Sequence, residues 1–436
     1  MRFLLVFSLL FLTNAVAYAQ NAEDFAKIWD KQHITVMPAS QVRHKDLQKY
    51  LSELKSTGLK IEEVGRSNAN REIYQVEWGT GATKVFMWSQ MHGDEPTATS
   101  ALIDMLAFLQ KNRNKGWVKE LEKALTIRAV PMLNPDGAEL FQRRNLQGID
   151  INRDARALQT PEGRLLKKLR DDWQPDIGFN LHNQNALTTV GKSNRQATIS
   201  LLAVSGDPNG KSNAGHLRSR RISSVMTGAL ENFIKGNIGR YDDTYNPRAF
   251  GDMISAWGTP VILIETGALH GKDEMFLIRL NFVAYLAALK SIVDKSEQKA
   301  NPNVYDTLPF NDSGNLYTAI FRKANIVNFA QTEIVFTGDV AINAERRRAG
   351  QIAPTSVQEI GDLSIVSGLD EYDASDFYLV PKNGLLKIGS PGEFLFYKKS
   401  RRINWKSVDL EKAFPPDAIF RNGKWEKGAR FLPKTD

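Results

Sequence analysis

Four short apolar runs, each followed by a stretch with helical spacing, constrain this chain more than any other feature. Lys84–Ser89 (KVFMWS), Leu125–Val130, Ile177–Leu181 and Pro260–Ile264 (PVILI) carry few polar residues. Strands buried on both faces of a parallel sheet read this way. The intervening helical patterns begin at Pro96 and cover Glu162–Trp173, Leu217–Phe233 and Glu274–Val293. Pro at the first turn suits a helix start, because the amide it lacks has no partner there anyway. Strand and helix in alternation predict an α/β fold with a mixed, mostly parallel sheet flanked by helices.

The pattern stops near residue 295. Lys295–Asn303 (KSEQKANPN) is polar and reads as a linker, so the expected units are residues 20–300 and 301–436. Beyond it come short runs at Glu333–Phe336, Leu363–Val366, Phe377–Val380, Leu385–Ile388 and Phe394–Tyr397, punctuated by Gly and Pro. They predict a small all-β accessory domain.

Arg2, the apolar run Phe3–Leu12 and the small-residue site Ala17-Tyr18-Ala19 form the pattern of a secretory signal cleaved near Ala19. The run is too short to span a bilayer comfortably. The expectation is a protein secreted or delivered to the periplasm, with no membrane span after processing. The formal charge of +8 is spread over separate basic clusters without interleaved aromatics, so no nucleic-acid partner is expected.

The chain has no cysteine and only six histidines. Disulfides, thiolate metal sites and a cysteine nucleophile are excluded, so any metal must sit on His, Asp or Glu. His92-Gly93-Asp94-Glu95 follows the first apolar run directly, at the carboxyl edge of the sheet where α/β proteins bind ligands. Such a turn can aim an imidazole and a carboxylate at one point, or simply cap the next helix. His182 ends the third run, as a third ligand or as a core histidine. Two His and one Glu with an open fourth position is a catalytic zinc arrangement. Glu265 follows four consecutive apolar residues, where a carboxylate is costly unless paired or chemically employed. Beside an activated water it could act as general base. Arg143, Arg144 and Arg153 lie on loops between these elements and could hold a substrate carboxylate, receive an oxyanion, or make surface ion pairs.

Taken together, these pieces resemble the zinc metallocarboxypeptidases of the pancreatic A/B type. The resemblance is carried, in order, by Gly65-Arg66-Ser67 with Arg71-Glu72-Ile73, His92 and Glu95, Asn134-Pro135-Asp136-Gly137, Gly148 to Arg153 (GIDINR), Leu181-His182 and Ile264-Glu265-Thr266-Gly267. It implies one zinc per chain on His92, Glu95 and His182, with Glu265 as the base. It also implies a grip on the substrate's free α-carboxylate by Asn152 and Arg153. Arg143 would be the oxyanion arginine, with Arg144 its rival, and Tyr245 the mobile tyrosine, ahead of Tyr241. The implied reaction is zinc-dependent hydrolysis of a C-terminal amide by metal-activated water, on a peptide or peptide-like substrate with a free carboxylate.

Two departures separate this chain from the digestive enzymes. Asp94 stands where they carry arginine, and Tyr241–Asp252 (YDDTYNPRAFGD) is unlike their segment. The alternatives are a cell-wall peptide amidase or endopeptidase, an N-acyl amino-acid deacylase, or a non-catalytic zinc- or glycan-binding protein on the same scaffold.

Overall fold

The computed structural model describes residues 21–330 and 334–428. The expected signal segment therefore lies outside the described residues, as does Glu333. Two compact units are present: residues 21–186 with 195–311, and residues 187–194 with 312–428.

The first unit is built on an eight-stranded sheet. Its strands are β1 (Lys60–Arg66), β2 (Glu72–Gly79), β3 (Thr83–Ser89), β4 (Leu125–Val130), β5 (Ile177–Asn183), β6 (Ile199–Val204), β7 (Ile238–Arg240) and β8 (Val261–Thr266), in spatial order β1-β2-β4-β3-β5-β8-β6-β7. The four predicted apolar runs are the adjacent parallel strands β4-β3-β5-β8 at the centre. Antiparallel neighbours join on both sides, β2 against β4 and β6 against β8. Central strands have no solvent face, which is why every residue of β5 and β8 is buried.

The helices include α1 (Thr97–Asn112), α2 (Pro161–Trp173), α3 (Ala214–Ile234), α4 (Phe250–Ala256) and α5 (Glu274–Val293). α1 is buried from Thr97 through Gln110 rather than along one face alone. Among the described residues α5 alone is long and apolar enough to cross a membrane, yet it is a largely buried core helix.

The predicted linker is packed structure. Ser296–Lys299 forms a 3-10 turn with Glu297 buried beneath Arg218, and a short helix follows at Asn303–Asp306. Tyr305 is fully buried, its hydroxyl accepting from the Ala203 amide at 3.0 Å. The first unit consequently runs to residue 311, not 300. Local polarity concealed this because one inserted tyrosine does the anchoring.

The second unit is strand-rich, as expected. Its strands are β9 (Leu316–Asn328), β10 (Ile334–Ala344), β11 (Thr355–Gly361), β12 (Ser367–Asp373), β13 (Phe377–Pro381), β14 (Phe394–Lys398), β15 (Ala418–Arg421) and β16 (Lys424–Lys427). The first half of β9 pairs with β12 and its second half with β13, with a bulge between at Arg322-Lys323. Phe321 sits among Phe394, Phe396, Phe420 and Trp425 with ring centroids 5.2–6.0 Å apart, the aromatic core of the unit. Two predicted strands are absent. Leu363–Val366 is a turn that leaves Ile365 exposed, and Leu385–Ile388 is a loop whose Leu386 amide donates to Asn328 Oδ1 at 2.8 Å.

Candidate active site

The site grows from the carboxyl ends of the central parallel strands. β3 ends at Ser89, and Gln90 then takes a left-handed φ of 51° to turn the chain. Its side chain secures that turn, donating to the Gly93 carbonyl at 2.9 Å and accepting from the Thr99 hydroxyl at 2.8 Å. The turn beginning at Asn134 packs directly on this one. Leu133 and Asn134 amides donate to Ser89 and Gln90 carbonyls, and Asn134 Nδ2 donates to the Met91 carbonyl. A side chain on Gly93 would bring its Cβ within 1.9 Å of the Gly137 carbonyl carbon, so only glycine fits. Asp136 in turn accepts from Ser67 Oγ, the Ala69 amide and Arg71. The separate motifs noted in the sequence thus form one continuous brace behind His92 and Glu95.

His92, Glu95 and His182 are brought together and buried, with donor atoms all within 4.8 Å of one another. Glu95 stands between the imidazoles: His92 Nδ1 is 2.8 Å from Oε1 and His182 Nδ1 is 2.7 Å from Oε2, which also accepts from the Asn183 amide. On its far side His92 Nε2 lies 3.0 Å from Asp150 Oδ1. A carboxylate there holds the Nε2 proton and leaves Nδ1 as the ligating nitrogen. Asp150 was legible inside the GIDINR run but its role was not. The carboxylate two positions before Asn-Arg was the available signal.

Electrostatics favour a cation at this point. Burial opposes charge on His92, but Glu95 and Asp150 outweigh it and hold the imidazole at a pKa of about 9. Burial also works against the Glu95 carboxylate, yet the two imidazoles keep it well below the usual range. His182 is drawn down by burial, and its Nε2 has no protein partner among the described residues. Two nitrogens and a carboxylate, without thiolate, suit zinc.

Around this set the structure sorts the other predicted residues. Arg143 reaches it, with Nη1 3.1 Å from His92 Nδ1 and 3.3 Å from Glu95 Oε1 while Nε donates to Asp150 at 3.0 Å. Arg144 turns away and donates to the Gly148 carbonyl. Glu265 is buried and directly paired with His182 in the β5–β8 register. Asn152 Oδ1 accepts from the Phe250 amide at 2.9 Å, and Arg153 Nη1 donates to the Asn152 carbonyl at 2.7 Å. Tyr245 points its hydroxyl at Met253 Sδ, 3.7 Å away. The charge on Glu265, together with burial, acts on Tyr241 and pushes its hydroxyl up to about 12.

Residues 45–199 match the family described as zinc carboxypeptidase. Over 110 residues the chain is 32% identical to probable carboxypeptidase 2 of Arthroderma benhamiae, covering 25% of this chain and 20% of the relative. It is 31% identical to carboxypeptidase 2 of Trichophyton rubrum, with the same shares covered. The chain thus spans about a fifth of the length of these curated relatives. Among solved structures it is similar to a metallo-carboxypeptidase from Burkholderia cenocepacia (16% identity, TM-score 0.47, 59% of this chain and 70% of that one). It is also similar to carboxypeptidase A from Helicoverpa armigera (16%, 0.47, 59% and 74%). The carboxypeptidase stretch contains His92, Glu95, Arg143, Asp150, Arg153 and His182, whereas Glu265 and Tyr241–Asp252 lie beyond it.

Proposed function

We propose that this chain is an exported zinc carboxypeptidase that removes a terminal residue from a peptide with a free carboxylate. The observation that carries the reading is the convergence of His92, Glu95 and His182 at the strand edge where Arg143 and Glu265 also arrive. Zinc on those three residues supplies Lewis acidity toward a carbonyl oxygen and toward water. Glu265 takes the proton from the attacking water and returns it to the leaving amine. Arg143 offers its guanidinium to the oxygen that becomes negative. Asp150 holds both His92 and Arg143, so ligand and oxyanion donor share one anchor. Arg153, with Asn152, receives the substrate's terminal carboxylate.

The test compares one peptide with free and amidated ends. A terminal carboxylate on a guanidinium fork is a strong charge-assisted pair. Amidation should cost roughly 2–5 kcal/mol, about thirty- to several-thousand-fold in kcat/KM. Arg153→Ala should erase most of that preference. Equal cleavage of both peptides by the wild type would remove the carboxypeptidase reading and favour an endopeptidase on the same scaffold. Export is checked by the mass of the mature protein, which should begin near Gln20.

A further inference from the structure

The segment from Arg143 to Asp154 has two faces. Through Arg143 and Asp150 it supports the metal-donor set. It also lines a cavity of about 390 Å³, whose walls include Arg144, Arg153, Arg248, Asp150, Asp154 and Gln159. The three guanidinium groups hydrogen-bond backbone carbonyls rather than carboxylates. Arg144 donates to the Gly148 carbonyl, Arg153 to the Asn152 carbonyl and Arg248 to the Arg153 carbonyl. Among the described residues none of the three makes an ion pair, whereas Arg71, Arg220 and Arg322 elsewhere in the chain each do.

The two aspartates in the wall are already committed. Asp150 is held by His92, Arg143 and the Asn152 amide. Asp154 accepts from the Gln159 and Thr160 amides and from Thr160 Oγ1, all at 2.7–2.8 Å. Three guanidinium groups outnumber the two aspartates of the wall, whose oxygens are already hydrogen-bonded elsewhere, and most of their N–H donors remain available to an incoming acceptor. The backbone keeps them in place. The Ala155 amide donates to the Arg248 carbonyl at 3.1 Å, and the Arg248 amide to Asn246 Oδ1 at 3.0 Å. The loop carrying Arg248 is therefore stapled to the segment carrying Arg153.

We propose that this cavity binds a second carboxylate, borne by the side chain of the substrate's terminal residue, so that the enzyme prefers dicarboxylic termini such as glutamate. The proposal rests on the carboxypeptidase reading, because Arg153 belongs to the cavity wall and to the proposed clamp on the α-carboxylate. Arg153 is thus shared by clamp and cavity, and Arg144 and Arg248 are the other arginines of the wall. The cavity volume lies within the range of small-molecule sites, and a planar guanidinium matches a carboxylate in two parallel hydrogen bonds.

The experiment uses two peptides identical except for a terminal Glu or Gln, which differ in charge but scarcely in shape. kcat/KM is measured for the zinc-loaded wild type, Arg144→Ala, Arg248→Ala and the double variant. Arg→Gln versions, which keep amide donors without charge, guard against lost folding. Binding of the same pair to zinc-loaded Glu265→Gln, with and without the double substitution, is read by calorimetry. The wild type should favour the Glu peptide roughly ten- to hundredfold, the scale of hydrogen bonds to charged groups. The ratio should shrink in 0.5 M salt and approach one in the double variant. A wild-type ratio at or below one, or a ratio unchanged in the double variant, overturns the proposal. If neither peptide is cleaved but the binding preference is present and lost in the double variant, the anion site stands and the carboxypeptidase reading falls.

Discussion

His182 and Glu265 are direct neighbours across the parallel strands β5 and β8, within six consecutive register pairs from Gly178–Val261 to Asn183–Thr266. In a parallel ladder, paired residues project from the same face of the sheet. A proposed metal ligand and the proposed base are therefore held at a separation set by strand spacing, and every residue of both strands is buried.

Glu265→Gln should separate binding from catalysis. The amide is nearly isosteric, so the register and the metal should persist while the proton acceptor is gone. Turnover should fall by roughly two to four orders of magnitude at unchanged zinc content. A loss below tenfold would show that another group takes the proton.

Purified protein should carry about one zinc per chain, and removing it should lower the melting temperature as well as activity. His182→Ala leaves only His92 and Glu95 and should lose the metal on dialysis, measured by elemental analysis. Stoichiometric zinc retained by that variant would overturn the ligand assignment.

Gly93→Ala tests the brace. The added Cβ would meet the Gly137 backbone at 1.9 Å, and two hydrogen-bonded turns cannot separate without moving His92. Overpacking of this kind costs roughly 1–3 kcal/mol, and zinc affinity should drop with it. Urea unfolding and a zinc competition titration read the two effects. A wild-type midpoint with wild-type affinity would mean the turns yield freely.

Asp252 predicts a pH effect on stability. Burial raises its pKa from 3.8 to about 6, against hydrogen bonds from backbone amides and the pull of Arg153. The folded state disfavours the charged form, so this contribution is fully present below pH 3.8 and is lost as pH rises through 6. The loss is about 3 kcal/mol at most. Asp252→Asn should therefore be more stable than the wild type at pH 8, with that advantage gone at pH 4. Thermal melts of both proteins at both pH values check it, and a pH-independent difference would contradict it.

What the amino-acid sequence determined by itself was whatever short-range pattern encodes. Apolar runs of strand length alternating with helical spacing specified the central strands β3, β4, β5 and β8. The helix Glu274–Val293 was legible to the residue. His92 and Glu95 were legible because the turn carrying both is local, and His182 and Glu265 because each ends an apolar run.

The remainder depended on where distant segments meet. Arg143 and Arg144 are adjacent in sequence and equal in chemistry, and only the position of Asp150 against His92 directs one inward and the other to the Gly148 carbonyl. Tyr241 feels the Glu265 charge, and it is tied by its amide to the Leu201 carbonyl of β6, the strand beside β8. The polar stretch after residue 295 belongs to the first unit because Tyr305 finds a buried partner on β6. The three arginines of the cavity come from two segments nearly a hundred residues apart, joined by backbone hydrogen bonds. Each of these outcomes follows from side-chain direction and partner choice after the sheet has assembled, and neither is a property of local sequence.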